Sequence, residues 1–372
     1  MAALACAGSA LLLLVPANLA PFLTTSVLGV SRQSVLSSSA VFMQKDGWPL
    51  LGLFIFLFVV VAPFARFGLL TAVLGAVQFD RRLAWRGRAF RYANLLQTWA
   101  MPDVFLLGLV VAYARLKASI SVEVGIGAMC FIAVGVLALL TRATLDKGSV
   151  WEAILAQAKP PGDPDGLITC TSCDWLAAAH AAGGACPRCE ARLYARKPES
   201  IGRATALTLA ALLFYLPANL LPLATLPIGL TPTRYTVLQG VIDLVQANLW
   251  GLAALVFCAS FAIPFLKLAG MGWCLHSVWR GSSRHLRGKT RLFHIVEEIG
   301  RWSMVDPFVI ACFVPVMQYN ALIYGRAEPA ATPFAMVVVM TMLATRCFDP
   351  RLMWDAAGRR RSAPASSAGP PA

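Results

Sequence analysis

Charge is what this 372-residue chain has least of. Only 13% of its residues are Asp, Glu, Lys or Arg, against about 25% in an ordinary soluble domain. Acidic residues are scarcest, 18 against 32 basic ones, and there are four histidines. Each shortage excludes something. With 58% hydrophobic residues and a mean hydropathy of +0.67, the chain has too little polar surface to clothe a water-soluble globule. The same figures exclude a disordered regulator and a disulfide-stapled secreted module. His180, His276, His285 and His294 lie in polar segments or at the edge of an apolar run, which leaves no pair to ligate an intramembrane haem. No GxxxxGK[ST] loop is present, so the chain does not itself hydrolyse ATP.

What is there is a series of apolar runs, near 4–24, 49–77, 100–115, 122–141, 205–226, 249–275, 303–324 and 330–346. A helix needs roughly 20 apolar residues to cross the hydrocarbon core, so eight spans are expected. Of the Lys and Arg outside these runs or at their last residue, 24 fall at or after the ends of the second, fourth, sixth and eighth, and 6 on the opposite side. By the positive-inside rule both termini and the segment between the fourth and fifth runs face the cytoplasm. The formal charge of +14 then serves topology and anionic headgroups; nucleic acid is not an expected partner. The first run lacks a charged leader and contains Pro16 and Asn18, so it is expected as a retained helix rather than a signal peptide.

The chain repeats itself. Pro16-Ala17-Asn18-Leu19 returns as Pro217-Ala218-Asn219-Leu220, and Pro63-Phe64 as Pro264-Phe265, with Arg66 falling on Lys267. Trp99-Ala100-Met101-Pro102-Asp103 returns as Trp302-Ser303-Met304-Val305-Asp306, and Asp146 and Trp151 as Asp349 and Trp354. Constant order at an offset of 201–203 residues implies two tandem modules of four helices, in parallel orientation. The expected division is a first module over 1–150, a metal ribbon over 165–195, a second module over 200–355 and a disordered tail over 356–372.

Between the modules lie Cys170-Thr-Ser-Cys173 and, twelve residues on, Cys186-Pro-Arg-Cys189. Two CxxC knuckles set four thiolates about one metal, and soft sulfur favours zinc. The intervening Ala-Ala-Gly-Gly cannot build a core, so the metal supplies the folding energy; a closed shell of four cysteines makes the zinc structural. A dithiol redox pair and unliganded cysteines are the alternatives, and His180 in the linker is a bystander.

Ionisable groups inside spans are expensive and therefore informative. Arg66 lies 17 residues into its run, roughly 25 Å deep at about 1.5 Å per residue; Asp103 sits about one turn into the next. Lys267 and Asp306 repeat this relation, and the expectation is a basic–acidic pair between the second and third helices of each module. Snorkelling of the long basic side chains and helix capping by Asp306-Pro307 explain the same residues without function. Trp99 and Trp302 suit an interfacial belt, and Asn18 and Asn219 suit carbonyls in proline-kinked helices. The second module is richer in polar groups: Ser260, Ser303 and Thr341 stand where the first has Val59, Ala100 and Ala138. Ser260 and Lys267, seven apart, are expected on one helical face. Of the two halves, the second is the expected home of a proton relay or polar gate.

The duplicated module with Pro-Ala-Asn-Leu-x-Pro, the Trp-[Ala/Ser]-Met-x-Asp motif, the Phe-Asp-Pro-Arg-Leu-x-Trp-Asp close at 348–355 and the CxxC…CPxC ribbon together resemble the PqiA/LetA family of paraquat-inducible protein A, over about residues 5–355. The resemblance implies an inner-membrane protein of Gram-negative bacteria with tetraspanin-like helical modules. It further implies work beside a periplasmic MCE-domain partner, loading or unloading phospholipid. The outward segments 25–48 and 227–248 would then face that partner; in both, a Val-Leu precedes a Trp by the same distance (Val35 to Trp48, Val237 to Trp250). Family members commonly carry a further ribbon before the first module, whereas this chain opens almost at its first helix with Cys6 alone; a lost ribbon and a misplaced start are the two expectations. A membrane redox or stress protein using its CxxC thiols, and a proton-coupled small-solute exporter, are the competing functions; the chain is not expected to be an enzyme.

Overall fold

The computed structural model describes residues 1–27, 30–45, 47–81, 83–117, 121–156, 167–228, 231–282, 284–304, 308–309, 318–320, 323–324 and 326–362. The first half opens with helix α1 (Ala2–Leu19), rich in the Ala and Leu that favour helix. It stops because Pro21 follows: Ala20 takes an extended conformation with ψ of 157°, as a residue before proline does. Strands β1 (Leu23–Val27) and β2 (Val30–Ser34) form an antiparallel hairpin, followed by the short helix α2 (Ser38–Lys45). The long helix α3 (Pro49–Gln78) comes next, then α4 (Arg86–Leu96), α5 (Pro102–Lys117), strand β3 (Ser121–Val124), α6 (Ile126–Thr144) and α7 (Lys147–Ile154). Strand β3 pairs with β1, giving a sheet in the order β2-β1-β3.

A small hairpin of β4 (Leu167–Thr169) and β5 (Leu176–Ala178) leads into the second half. There α8 (Ser200–Leu220), β6 (Ala224–Ile228), β7 (Thr231–Tyr235), α9 (Val237–Gln246), α10 (Trp250–Trp279) and α11 (Leu286–Ile299) repeat the first half element by element. After a 3-10 turn at Gly300–Met304 come β8 (Gln318–Asn320), β9 (Ile323–Tyr324), β10 (Arg326–Ala327), α12 (Ala331–Cys347) and α13 (Arg351–Ser362). The sheet order β10-β6-β7 matches that of the first half.

The repetition reaches atomic detail. In each long helix a π-helical stretch, Phe56–Val61 or Cys258–Ala262, precedes Pro63 or Pro264. Proline has no N–H for the carbonyl four residues back and its ring crowds that carbonyl, so the turn widens. Asn18 Nδ2 donates to the Leu14 carbonyl at 2.8 Å and Asn219 Nδ2 to the Tyr215 carbonyl at 2.9 Å. Asp146 and Asp349 each accept from the amide two residues on, Gly148 at 3.0 Å and Arg351 at 3.1 Å.

Among the described residues five helices are long and apolar enough to cross a membrane: α1, α3, α6, α8 and α10. Helix α12 and the following Arg351–Gly358, bent by 51°, make a sixth if taken as one span. Helix α5 is apolar but shorter over Pro102–Ala114, so the expected third span is a helix below spanning length. Three expected boundaries are corrected. The first and fifth spans end at Leu19 and Leu220 rather than at 24 and 226, and the fourth starts at Ile126, because the flanking residues are strands. Most of the expected seventh span, 303–324, lies outside the described residues, and its described end is β8 and β9. The outward segments expected as loops therefore carry a sheet and a short helix. The missed signal is the run Thr24-Thr25-Ser26-Val27, three of its four residues β-branched, close before Gly29.

Small residues let the helices close. In α8, Ala204, Ala211 and Ala218 are fully buried at heptad spacing on the helix that packs along α12, the close approach that membrane helices exploit. Where α1 meets α6, a Cβ on Gly127 would stand 2.6 Å from the Ala20 carbonyl oxygen. The halves meet through α5, where Val111 joins Leu244, Ala253 and Val256 in one buried cluster, and Phe105 lies 5.3 Å from Phe308. Replacing Gly127 by Val should lower the thermal midpoint in detergent, costing roughly 1–3 kcal/mol of overpacking or more. Gly272→Ala, with nothing within 4 Å of the new Cβ, should leave the midpoint unchanged or raised.

Candidate metal centre and buried lysine cluster

The four cysteines come together as their spacing requires. The Sγ atoms of Cys170, Cys173, Cys186 and Cys189 all lie within 4.8 Å of one another, and all four residues are buried. The Cys170–Cys189 and Cys173–Cys186 sulfurs are 3.6 Å apart, far beyond the roughly 2.05 Å of a disulfide. A tetrahedron with metal–sulfur bonds of about 2.3 Å has edges of about 3.8 Å, so the donor set fits a thiolate-bound metal. The two knuckles are built alike. Cys170 N donates to the Trp175 carbonyl and Cys186 N to that of Ala191, each at 2.8 Å; Asp174 N and Glu190 N return bonds to Cys170 and Cys186. The residues after each second cysteine, Asp174 and Glu190, take left-handed φ of 57° and 56°, and their amides close each knuckle on the first cysteine's carbonyl. As thiolates, four buried sulfurs this close would repel one another, and a bound metal would supply the positive charge that holds them together.

The knot is not a free appendage. It belongs to the same buried cluster as the first-half helices. The Arg188 carbonyl sits against Gly87 of α4, where no Cβ could fit. Arg88 Nε meets Glu190 Oε2 at 2.6 Å, and Arg188 Nε donates to the Leu155 carbonyl at 2.8 Å with its guanidinium 4.9 Å from the Trp175 ring centre. On the other side the chain is tied to the second half. Arg196 forms a two-bond fork with Asp355, at 2.7 and 3.0 Å. Lys197 Nζ donates to the Arg346 and Phe348 carbonyls at the end of α12, at 2.7 and 3.2 Å. Burial pushes the Lys197 ammonium below its ordinary value, with Asp349 opposing the shift.

The expected intramembrane set is partly assembled. Lys267 on α10 is 2% exposed, and its Nζ donates to Ser303 Oγ at 3.1 Å and to Thr341 Oγ1 at 3.3 Å. Those hydroxyls donate onward, to the Gly300 carbonyl at 2.8 Å and the Val338 carbonyl at 3.0 Å. Ser260 does not join: it is fully buried, yet its hydroxyl has no partner among the described residues. It lies in the π-helical stretch Cys258–Ala262, where the seven-residue face rule of a regular α-helix does not hold. Asp306 lies outside the described residues. In the first half, Arg66 is buried and its Nη1 reaches the Ala100 carbonyl at 3.4 Å, while Asp103 Oδ2 faces Arg142 Nη1 at 3.8 Å. Trp99, expected in an interfacial belt, stacks on Phe58 at 5.1 Å.

Three contributions escaped the sequence reading. Gly300 passes over the Lys267 stem so closely that a Cβ there would collide with it. Lys289, 6% exposed, donates to Ser277 at 2.8 Å and Ser282 at 3.3 Å. Gly87 seats the ribbon. A signal for the last two was present, since Arg86-Gly87-Arg88 returns as Arg287-Gly288-Lys289.

A multi-pass helical membrane protein of two like halves, with a four-cysteine site that could hold a metal at their junction, is the class these features define. The profile of the family described as Paraquat-inducible protein A matches residues 1–155 and 201–358, and the chain belongs to that family. It is 32% identical over 355 residues to the intermembrane transport protein PqiA of Escherichia coli K12, covering 93% of this chain and 84% of that one. It is 30% identical over 337 residues to lipophilic envelope-spanning tunnel protein A of the same organism, covering 90% and 78%. A probable intermembrane transport protein of Haemophilus influenzae is 27% identical over 369 residues, covering 94% and 85%. No solved structure is significantly similar to the chain.

Gly87→Val should lift the ribbon from α4. Maleimide labelling of the four thiols should then run several-fold faster in the intact protein, whereas Gly288→Ala, with no close contact but His285 Cβ at 3.9 Å, should leave the rate unchanged.

Proposed function

We propose that the chain is the inner-membrane component of an intermembrane lipid transport system, loading or unloading phospholipid for a periplasmic partner built of MCE domains. The observation that carries this reading is the alignment of both halves, over 355 residues, with a protein named for intermembrane transport. A second relative named as a lipophilic envelope-spanning tunnel protein supports a lipophilic cargo. In this reading the protein is a carrier component and not an enzyme. Its basic segments lie in the cytoplasm, with both termini and the ribbon, and the sheets with their following helices α2 and α9 face the periplasmic partner.

The second half does the polar work. Lys267, Ser303 and Thr341, with Ser260 seven residues before the lysine and Asp306 as the acidic partner, handle a proton or a lipid headgroup at the bundle interior. Arg66 and Asp103 are the corresponding charges of the first half. A lysine held by two hydroxyls inside hydrocarbon is costly unless its charge has a use or a counter-charge. Zinc is the metal that the four soft, tetrahedrally disposed thiolates suit. It has a structural role, closing the ribbon that braces one half against the other.

Transfer of labelled phospholipid between vesicles holding this protein and its MCE partner tests the reading. Lys267→Met should lower the rate tenfold or more, and Ser303→Ala by less. If Asp306 is the counter-charge, Lys267→Met with Asp306→Asn should retain more stability than Lys267→Met alone, because the single change strands a buried carboxylate. Equal rates for wild type and Lys267→Met would refute the proposed role. For the ribbon, elemental analysis should find one zinc per chain, lost in Cys186→Ser together with slow thiol labelling.

A further inference from the structure

We propose that the outer edge of strand β2 is a docking site for an extended segment of the periplasmic partner, which joins the first-half sheet as a fourth strand beside Ser31 and Gln33. The inference rests on the reading that this sheet faces an MCE partner, and it names the part of the chain that holds that partner.

Strand β2 lies at the edge of the sheet β2-β1-β3, with β1 as its one strand neighbour among the described residues. The register shows which of its backbone groups are left over. The Ser34 carbonyl accepts from Phe22 N at 2.7 Å, so Ser34 is turned towards β1. Successive residues of an antiparallel strand turn their amides and carbonyls to opposite sides. Arg32 and Val30, opposite Thr25 and Val27, therefore also face β1, and the backbone groups of Ser31 and Gln33 point away from the sheet. Both residues are exposed. Such an edge is a template on which an extended chain adds by main-chain hydrogen bonds.

The second half shows the same edge closed. Its outer strand is β7, and the pair Ile228 and Thr231 there corresponds to Val27 and Val30 in the first hairpin. Pro232 thus stands where β2 has Ser31. Proline has no N–H to offer an added strand, and sheets accept it where the N–H would face outwards from an edge. Pro232 blunts β7 in this way, whereas Ser31 leaves β2 open. Two hairpins of one repeat, in the same sheet order, differ at the group that an incoming strand needs.

The occupant is a different chain rather than a second copy. If two copies of β2 paired antiparallel through both outward residues, Ser31 would oppose Gln33 and Arg32 would oppose Arg32. Like charges directly opposite one another are destabilising. A partner segment with an acidic residue at the middle position meets the opposite charge instead. In β7 that position is Thr233, so the charge preference also belongs to the first half alone. The segment that fits is short and extended, acidic at its centre and free of proline at the positions that bond Ser31 and Gln33.

The test is capture of the purified MCE partner by the full chain in detergent. Ser31→Pro, which installs the second half's own residue, should lower the partner bound roughly tenfold or more and leave the thermal midpoint unchanged. Ser31→Ala should bind as wild type does, because the ladder uses the backbone, and Arg32→Glu should weaken binding several-fold. Should Ser31→Pro disturb the fold, hydrogen exchange on the wild type decides. The partner should slow exchange at the Ser31 and Gln33 amides and leave Arg32, turned towards β1, unchanged. Equal capture by wild type and folded Ser31→Pro, or exchange at both amides unaltered by the bound partner, would overturn the docking edge while the MCE reading stands. A wild-type chain that captures no MCE partner overturns that reading, and the docking edge with it.

Discussion

A chain in hydrocarbon has no water to satisfy its peptide groups, and every other feature of this protein is an answer to that constraint. The long helices satisfy their own amides. Where α1 and α8 end, the backbone passes within a few residues into a strand, and the strand finds a partner from the far end of the same half, β3 for β1 and β10 for β6. Where proline interrupts a helix, the break is absorbed by π-helical widening before Pro63 and Pro264. Both halves use the same devices in the same order, as duplicated solutions to one physical problem.

On that shared frame the halves have diverged in what they bury. The second half holds a lysine among hydroxyls, screened from water and passed over by Gly300. The first buries Arg66 within α3 and sets Asp103 of α5 against Arg142 at the end of α6. A frame stabilised by Ala and Gly seams tolerates such differences, because its packing depends on small residues elsewhere. Division of labour between two copies of one module follows readily from this separation of scaffold and polar content.

The ribbon is the mechanical link. Its knuckles lie on α4 through Gly87 and Arg88, and its outgoing chain is pinned to the end of α12 and the start of α13 through Arg196 and Lys197. A segment with so little core of its own transmits force only if something closes it, and four thiols within 4.8 Å supply the site for a metal to do so. The halves are therefore held by direct contacts, those of α5 and of α12 against α3 among them, and by this brace.

The sequence by itself determined what depends on local composition and spacing. The apolar runs marked the long helices, the 201-residue echo from Pro16-Ala17-Asn18 to Pro217-Ala218-Asn219 marked the two halves, and CxxC twice marked the thiol cluster. Lys267, Ser303 and Thr341 were legible because the repeat offers a neutral first-half counterpart for each hydroxyl. The tertiary structure alone decided the rest. That residues 23–26 pair with 121–124 depends on α1 and α6 lying side by side. That Ser260 falls in a π-helical stretch, its hydroxyl without a partner among the described residues, lies beyond a seven-residue rule. That Gly87 receives the Arg188 carbonyl is a contact across about a hundred residues. Periodicity encodes which face of an element is apolar, but the partner of that face is chosen only when the elements pack, by shape and charge that no single segment contains.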